Sequence, residues 1–172
     1  RPAIGSHYLS ENYGKGIFIK SDTIKLDSEA NYSIYAGNGE KGRFEVNLDA
    51  SEIDITGTIY GDGGNITITP RADGVMKISP SDQAEGRTLK DNSFLLTNGS
   101  TLTINKDSAE LKKMQITGKI DVSGEGSSLL TNMTGDSSIS PREGSTSTVA
   151  IEASNGGKVE LNMSGANSSI TG

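Results

Sequence analysis

The sequence contains itself more than once, and that repetition limits what it can fold into more tightly than any single residue does. The segment NGEKGRFEVNLDASEIDITG at 38–57 returns as NGSTLTINKDSAELKKMQITG at 98–118 and as NGGKVELNMSGANSSITG at 155–172. Each copy holds an Asn-Gly pair, a short strand ending on Asn47, Asn105 or Asn162, and a closing Ile-Thr-Gly. The triplet Ile-Ser-Pro also occurs twice, at 78–80 and 139–141, so separate markers agree on a period near 60 residues. A strand-and-turn unit recurring at such spacing is the pattern of a stacked fold, in which each unit packs chiefly on its neighbours.

Short alternating segments fill the chain, among them TIKL at 23–26, YSIY at 32–35, EIDIT at 52–56, NITIT at 65–69, VMKIS at 75–79 and KVELNM at 158–163. Turn residues separate them, which is the all-β pattern, and helical periodicity is absent. The best helix candidate, 107–115, reads as a turn followed by a strand, because its counterparts DASEID and SGANSS are not helix formers. Repetition predicts that equivalent strands lie over one another in parallel. The expected fold is therefore a right-handed parallel β-helix, or β-solenoid, with two or three coils per 60-residue repeat. Residues 1–16 form an irregular N-terminal segment or cap in this reading, and 17–172 a β-helix fragment with repeats at about 38–97, 98–154 and 155–172, the last incomplete. An antiparallel β-sandwich shares the strand statistics and is the alternative, although it requires no internal repeat.

Alternation predicts an apolar column from Phe44, Val46 and Leu48 through Leu102 and Ile104 to Val159, Leu161 and Met163. Glu45, Thr103 and Glu160 then face solvent. Asn47, Asn105 and Asn162 fall outward or at a corner, where amide side chains can bond from coil to coil or simply form turns. Two segments of unequal length, 81–93 and 142–148, both follow Ile-Ser-Pro, and loops leaving a solenoid at one corner are candidate recognition surfaces.

The search for chemistry returns no catalytic, cofactor-binding or metal-binding residues. His7 is the only histidine and lies in the irregular start, which rules out a Ser-His-Asp relay or a multi-histidine zinc site and reads as linker sequence. GDGGNITIT at 61–69 offers Asp62 as its single carboxylate, without the tandem units that a calcium-binding roll needs, so it reads as a Gly-rich turn before a strand. GEG at 124–126 is followed by no helix and cannot cradle a nucleotide phosphate. Asp49, Glu52, Asp54, Asp107, Glu110 and Asp121 are the carboxylates a glycoside hydrolase would draw on. Arg43, Arg71, Arg87 and Arg142 have no evident lyase partner, and two of the five Tyr, Tyr8 and Tyr13, lie in the irregular start. The acids therefore read as solvating charges. Asn-x-Ser/Thr at Asn31, Asn65, Asn98, Asn132 and Asn167 arises from composition.

A net charge of −6 disfavours nucleic acid, and no stretch approaches the roughly 20 apolar residues of a membrane helix, so no direct membrane insertion of this segment is expected. No signal peptide is visible, and both ends read as those of a mature or excised fragment. The absence of cysteine suits the cytosol and equally a bacterial exported protein that crosses an oxidising periplasm.

The repeats, the cysteine-free acidic composition and phrases such as ITGTIYGDGGNITI, ITGKIDVSGEGSSL and NGGKVELNMSGANSSITG resemble the passenger domain of a Gram-negative autotransporter, over roughly residues 15–172. The resemblance is one of style and period rather than of a diagnostic motif. It implies a type V secreted, β-helical passenger displayed at the cell surface or released. Such a passenger acts without catalysis in adhesion, self-association or host-receptor binding, and its partners are a host surface protein, a glycan or like molecules. The family's protease branch is disfavoured, because GDSS at 135–138 ends on Ser138 where a protease centre needs Gly. The alternative function is a carbohydrate-active β-helix of polysaccharide lyase, hydrolase or tailspike type.

Overall fold

The computed structural model describes residues 3–6, 14–39, 42–71, 74–84, 87–106, 113–145, 147 and 149–172. In chain order the first strands are β1 (Ile4–Gly5), β2 (Gly16–Lys20), β3 (Thr23–Gly39), β4 (Gly42–Arg43), β5 (Glu45–Ala50), β6 (Glu52–Asp62), β7 (Asn65–Pro70) and β8 (Val75–Ser79). A short helix α1 (Arg87–Asp91) precedes β9 (Asn92–Thr97), β10 (Thr101–Ile104), β11 (Lys113–Thr117), β12 (Lys119–Ser123) and β13 (Ser128–Met133). The last four are β14 (Ser137–Ser140), β15 (Ile151–Ser154), β16 (Lys158–Met163) and β17 (Ser169–Ile170).

These strands build two sheets. One runs β16-β13-β10-β7-β5-β2, and every neighbouring pair in it is parallel. The other runs β15-β12-β9-β6-β8-β11-β14-β17, again parallel throughout, with β3 lying along β6. Antiparallel pairing among the described residues is confined to the β3–β4 hairpin and a bridge between Gly37 and Gly63. The all-β, parallel expectation holds, and the antiparallel sandwich is excluded.

Strands of the six-stranded sheet begin at residues 16, 45, 65, 101, 128 and 158, so the chain returns every 20 to 36 residues, about twice per 60-residue period. Val46, Leu102 and Val159 do share a column, but Ile66 and Leu129 sit between them. NITITP and SLLTNM supply the intervening strands; an inward column needs only alternating apolar residues and not sequence similarity. Asn47 consequently pairs with Thr67, two positions out of line with Asn105. The amide ladder is instead Asn105, Asn132 and Asn162. Asn105 Nδ2 donates to the Asn132 carbonyl at 2.6 Å, and Asn162 Nδ2 donates to Asn132 Oδ1 at 2.8 Å.

The longer period belongs to one corner of the circuit. Between Asp27 and Tyr32 of β3 the chain is widened by residues 28–31, and in β6 it turns tightly on Gly57. Next comes the wide connection after Pro80, then a tight turn on Gly118, then the wide connection after Pro141. Wide and tight corners thus alternate, which is why Ile-Thr-Gly and Ile-Ser-Pro recur every second circuit. Gly57 and Gly118 have φ of +118° and +117°, values open in practice to glycine alone. A serine of the preceding wide circuit fills each: Ser33 Oγ donates to the Gly57 carbonyl at 2.8 Å, and Ser93 Oγ to the Gly118 carbonyl at 3.1 Å. Both serines are fully buried.

Inward columns make the core. Ile53, Met76 and Met114 form one, Ile55, Ile78, Ile116 and Ile139 a second, and Ile34, Ile59, Phe94 and Ile120 a third. Each fully buried side chain of this size contributes about 1.5–3 kcal/mol. One member is out of character: Thr131 continues the column of Leu48, Ile68 and Ile104, fully buried, and its Oγ1 has no hydrogen-bond partner among the described residues. A buried hydroxyl without a partner costs about 1–3 kcal/mol. Thr131→Val is therefore expected to stabilise the protein by about 1 kcal/mol or more, read from the midpoint of urea denaturation at unchanged slope.

One element was not foreseen. The segment 81–93 includes α1, five residues long and too short to show a periodicity. The expected helix candidate at 107–115 is described only from Lys113 on, where it is strand β11; residues 107–112 lie outside the described residues, as do His7, Tyr8 and Tyr13.

Candidate binding surface

Outward-facing side chains carry whatever recognition this fold performs, since the inward ones are spent on the core. The most distinctive outer patch lies where β3 and β6 run side by side. In a regular strand Tyr32 and Tyr35, three apart, point to opposite faces. Here Tyr32 pairs with Thr58 and Ile34 with Ile59, so Ser33 is an extra residue, a bulge that brings both tyrosines to the outer face. Tyr60, paired with Tyr35, joins them. The Tyr32 and Tyr35 rings lie 5.8 Å apart and 32° from parallel, and Tyr60 stands nearly perpendicular to each, with centroids 5.5 and 5.3 Å away. Edge-to-face rings at this distance attract through their quadrupoles.

Asp62 forms the polar rim. Its Oδ2 accepts from the Tyr35 hydroxyl at 2.8 Å, and its Oδ1 accepts from Thr97 Oγ1 at 3.2 Å and from Asn98 Nδ2. Asn98 and Gly99 have φ of +56° and +76°, the left-handed pair that an Asn-Gly turn adopts, and this turn aims the Asn98 amide back at Asp62. Arg43 braces the same turn by donating to the Gly63 carbonyl at 2.8 Å and to the Gly99 carbonyl. The carboxylate is thus fixed by three donors from three strands or turns.

Burial, then the hydrogen bond and charge of Asp62, push the Tyr35 hydroxyl well above its ordinary range. Burial and then the Asp62 charge raise Tyr60, partly offset by a hydrogen bond with Thr97. Folding therefore holds both protons more tightly than the unfolded chain does. Stability from this source is intact below the ordinary tyrosine value near 10 and is lost as pH rises beyond it. Spectrophotometric titration at 295 nm should show Tyr35 and Tyr60 ionising only together with alkaline unfolding; a single reversible tyrosine step near the ordinary value, with native circular dichroism retained, would contradict this.

A second cluster occupies the same outer face further along the sheet. Asp121 and Glu152 are paired across β12 and β15, and Lys119 Nζ lies 3.8 Å from Asp121 and in direct contact with Glu152. Burial raises the Asp121 carboxyl despite the attraction of Lys119, and the Glu152 charge adds to the rise.

The two loops after Ile-Ser-Pro meet. Arg142 Nε donates to Asp91 Oδ1 at 2.9 Å, joining the second loop to the end of α1. The single Thr58 hydroxyl proton is shared between the Leu89 and Asn92 carbonyls, 2.7 and 2.8 Å from Oγ1, which anchors α1 against the tight corner of β6. The segment 81–93 is thus bound into the corner at its helical end.

The other singled-out residues are dispersed. Asp49 pairs with Arg71 at 2.8 Å. Asp54 sits between Lys25 and Lys77 on the outer face of β3, β6 and β8, beside a shallow hollow of about 390 Å³ that Glu52 also lines. Asp107 and Glu110 lie outside the described residues. Ser138 pairs with Gln115 inside a sheet. Asn65 Oδ1 accepts from Thr101, and Asn167 donates through backbone and side chain to Asp136, whose carboxyl these bonds hold below the usual range. Among the described residues no three His, Cys, Asp or Glu side chains are grouped to hold a metal ion, and no helix is long and apolar enough to cross a membrane.

Sequence reasoning missed the tyrosine cluster, because a bulge is invisible to a period-two reading. The available signal was the pair Tyr35 and Tyr60, 25 residues apart, close to the true strand return. No protein-family model, curated protein or solved structure matches the chain.

Proposed function

We propose that this chain is a section of a right-handed parallel β-helix of autotransporter passenger kind, displayed at or released from a Gram-negative cell surface and acting without catalysis in adhesion or self-association. The observation that carries the reading is the parallel register itself. It converts short strands into continuous outer columns of polar and aromatic side chains, a long surface suited to many weak contacts with a host protein, a glycan or a like molecule. Protease shaving of intact producing cells should release peptides of this region, and beads coated with the purified chain should adhere to host cells or to one another. Exclusive recovery from the cytosolic fraction would overturn the display reading; monodisperse, non-adherent behaviour at high concentration would overturn the adhesive one.

The carbohydrate-active alternative has one observation in its favour, the Asp121 and Glu152 pair with its raised Asp121 carboxyl. Lys119 engages both carboxylates, which favours the structural reading of that pair. Release of reducing ends or unsaturated products from a polysaccharide panel would reverse the preference.

A further inference from the structure

We infer that Tyr32, Tyr35 and Tyr60, with Asp62 and Asn98 at their rim, form a binding site for a neutral glycan chain. The inference rests on the adhesive reading for its context and names the ligand class. Sugar rings are recognised by two features together: aromatic surface against their C–H faces, and planar polar groups that pair with adjacent hydroxyls. Both are assembled here from β3, β6 and the turn at Asn98. The cross-strand spacings of 5.5 and 5.3 Å to Tyr60 follow from the strand separation, the 5.8 Å between Tyr32 and Tyr35 from the bulge within β3, and all are of the order of one hexopyranose ring.

Core packing alone does not account for the arrangement. All three rings are outward and half-buried, and the inner positions of the same strands are already filled by Ile34, Ala36 and Ile59. The bulge at Ser33 interrupts the regular ladder, and its effect on the outer face is to put Tyr32 beside Tyr35. Asp62 is held in place before any ligand arrives by Tyr35, Thr97 and Asn98, so little ordering is left for binding. Charge selects the class of glycan. Asp62, Asp121 and Glu152 outnumber Arg43 and Lys119, the cations set beside them on this face, which disfavours sulfates and uronates and leaves uncharged sugars as the compatible ligands.

Affinity electrophoresis of the full chain through gels containing dextran, laminarin, amylose, mannan or galactan tests the site, with chondroitin sulfate as the anionic comparison. Retardation by at least one neutral polymer is expected, with affinity falling about tenfold or more in Tyr60→Leu and Tyr32→Leu while circular dichroism stays native. The wild type serves where a variant fails to fold: the polymer that binds should protect tyrosines from nitration by tetranitromethane. No retardation by any neutral polymer, retardation of both variants equal to that of the wild type, or binding confined to chondroitin sulfate would each overturn the site. Those failures leave surface display standing, and failed surface shaving leaves the site standing, so the two readings are separable.

Discussion

Phe94→Ala should remove about 3–5 kcal/mol of stability. Phe94 is fully buried and lies between Ile59 and Ile120 in the third inward column. Loss of its ring leaves a void whose walls are held apart by the parallel hydrogen bonds of β6, β9 and β12, so the site cannot collapse to recover the contacts. Because each circuit packs chiefly on its neighbours, the damage should stay local. Native-state hydrogen exchange should show β6, β9 and β12 losing protection first, while β16 retains it; urea denaturation gives the total. A loss below about 1 kcal/mol would mean that the column is not packed as described.

Gly118→Ala is expected to cost about 2–6 kcal/mol, since roughly 1–3 of backbone strain adds to roughly 1–3 of overpacking. At φ +117° an alanine is strained whatever the space around it, and its Cβ would lie 2.8 Å from Pro80 Cδ and 3.0 Å from the Ser93 nitrogen. Neither neighbour is the loose end of a side chain. Gly126 is the internal comparison. Its φ is +78° and its nearest obstacle is the Gly99 Cα at 3.6 Å, so Gly126→Ala should cost only about 1–2 kcal/mol. Thermal denaturation of the two variants side by side checks the ordering, and equal losses would show that the corner at Gly118 has room to relax.

The all-β, parallel character was legible because it depends on local alternation and on repetition, both written in the chain. Val46, Leu102 and Val159 were rightly placed in one column. The strands that supply the column members between them were not foreseen, because the similarity between copies follows the corner, where Gly57 and Gly118 demand glycine, while the strands between, at 65–70 and 128–133, need only alternate. Asn132 was missed for the same reason: it belongs to a strand outside the recognisable copies. The tyrosine cluster depends on an extra residue at Ser33, and nothing in the segment YSIY distinguishes a bulged strand from a regular one. The helix at 87–91 is stabilised by its neighbours Thr58 and Arg142 rather than by its own pattern, and such tertiary support has no local signature.

Alternation of wide and tight corners makes the molecule a ruler. At this corner extra residues enter at every second layer, so the projections there are graduated by two strand widths, roughly 9–10 Å. Peptide cargo grafted at 28–31, 81–91 and 142–149 would stand in a single file at that pitch, whereas grafts at Gly57 or Gly118 would meet a filled interior.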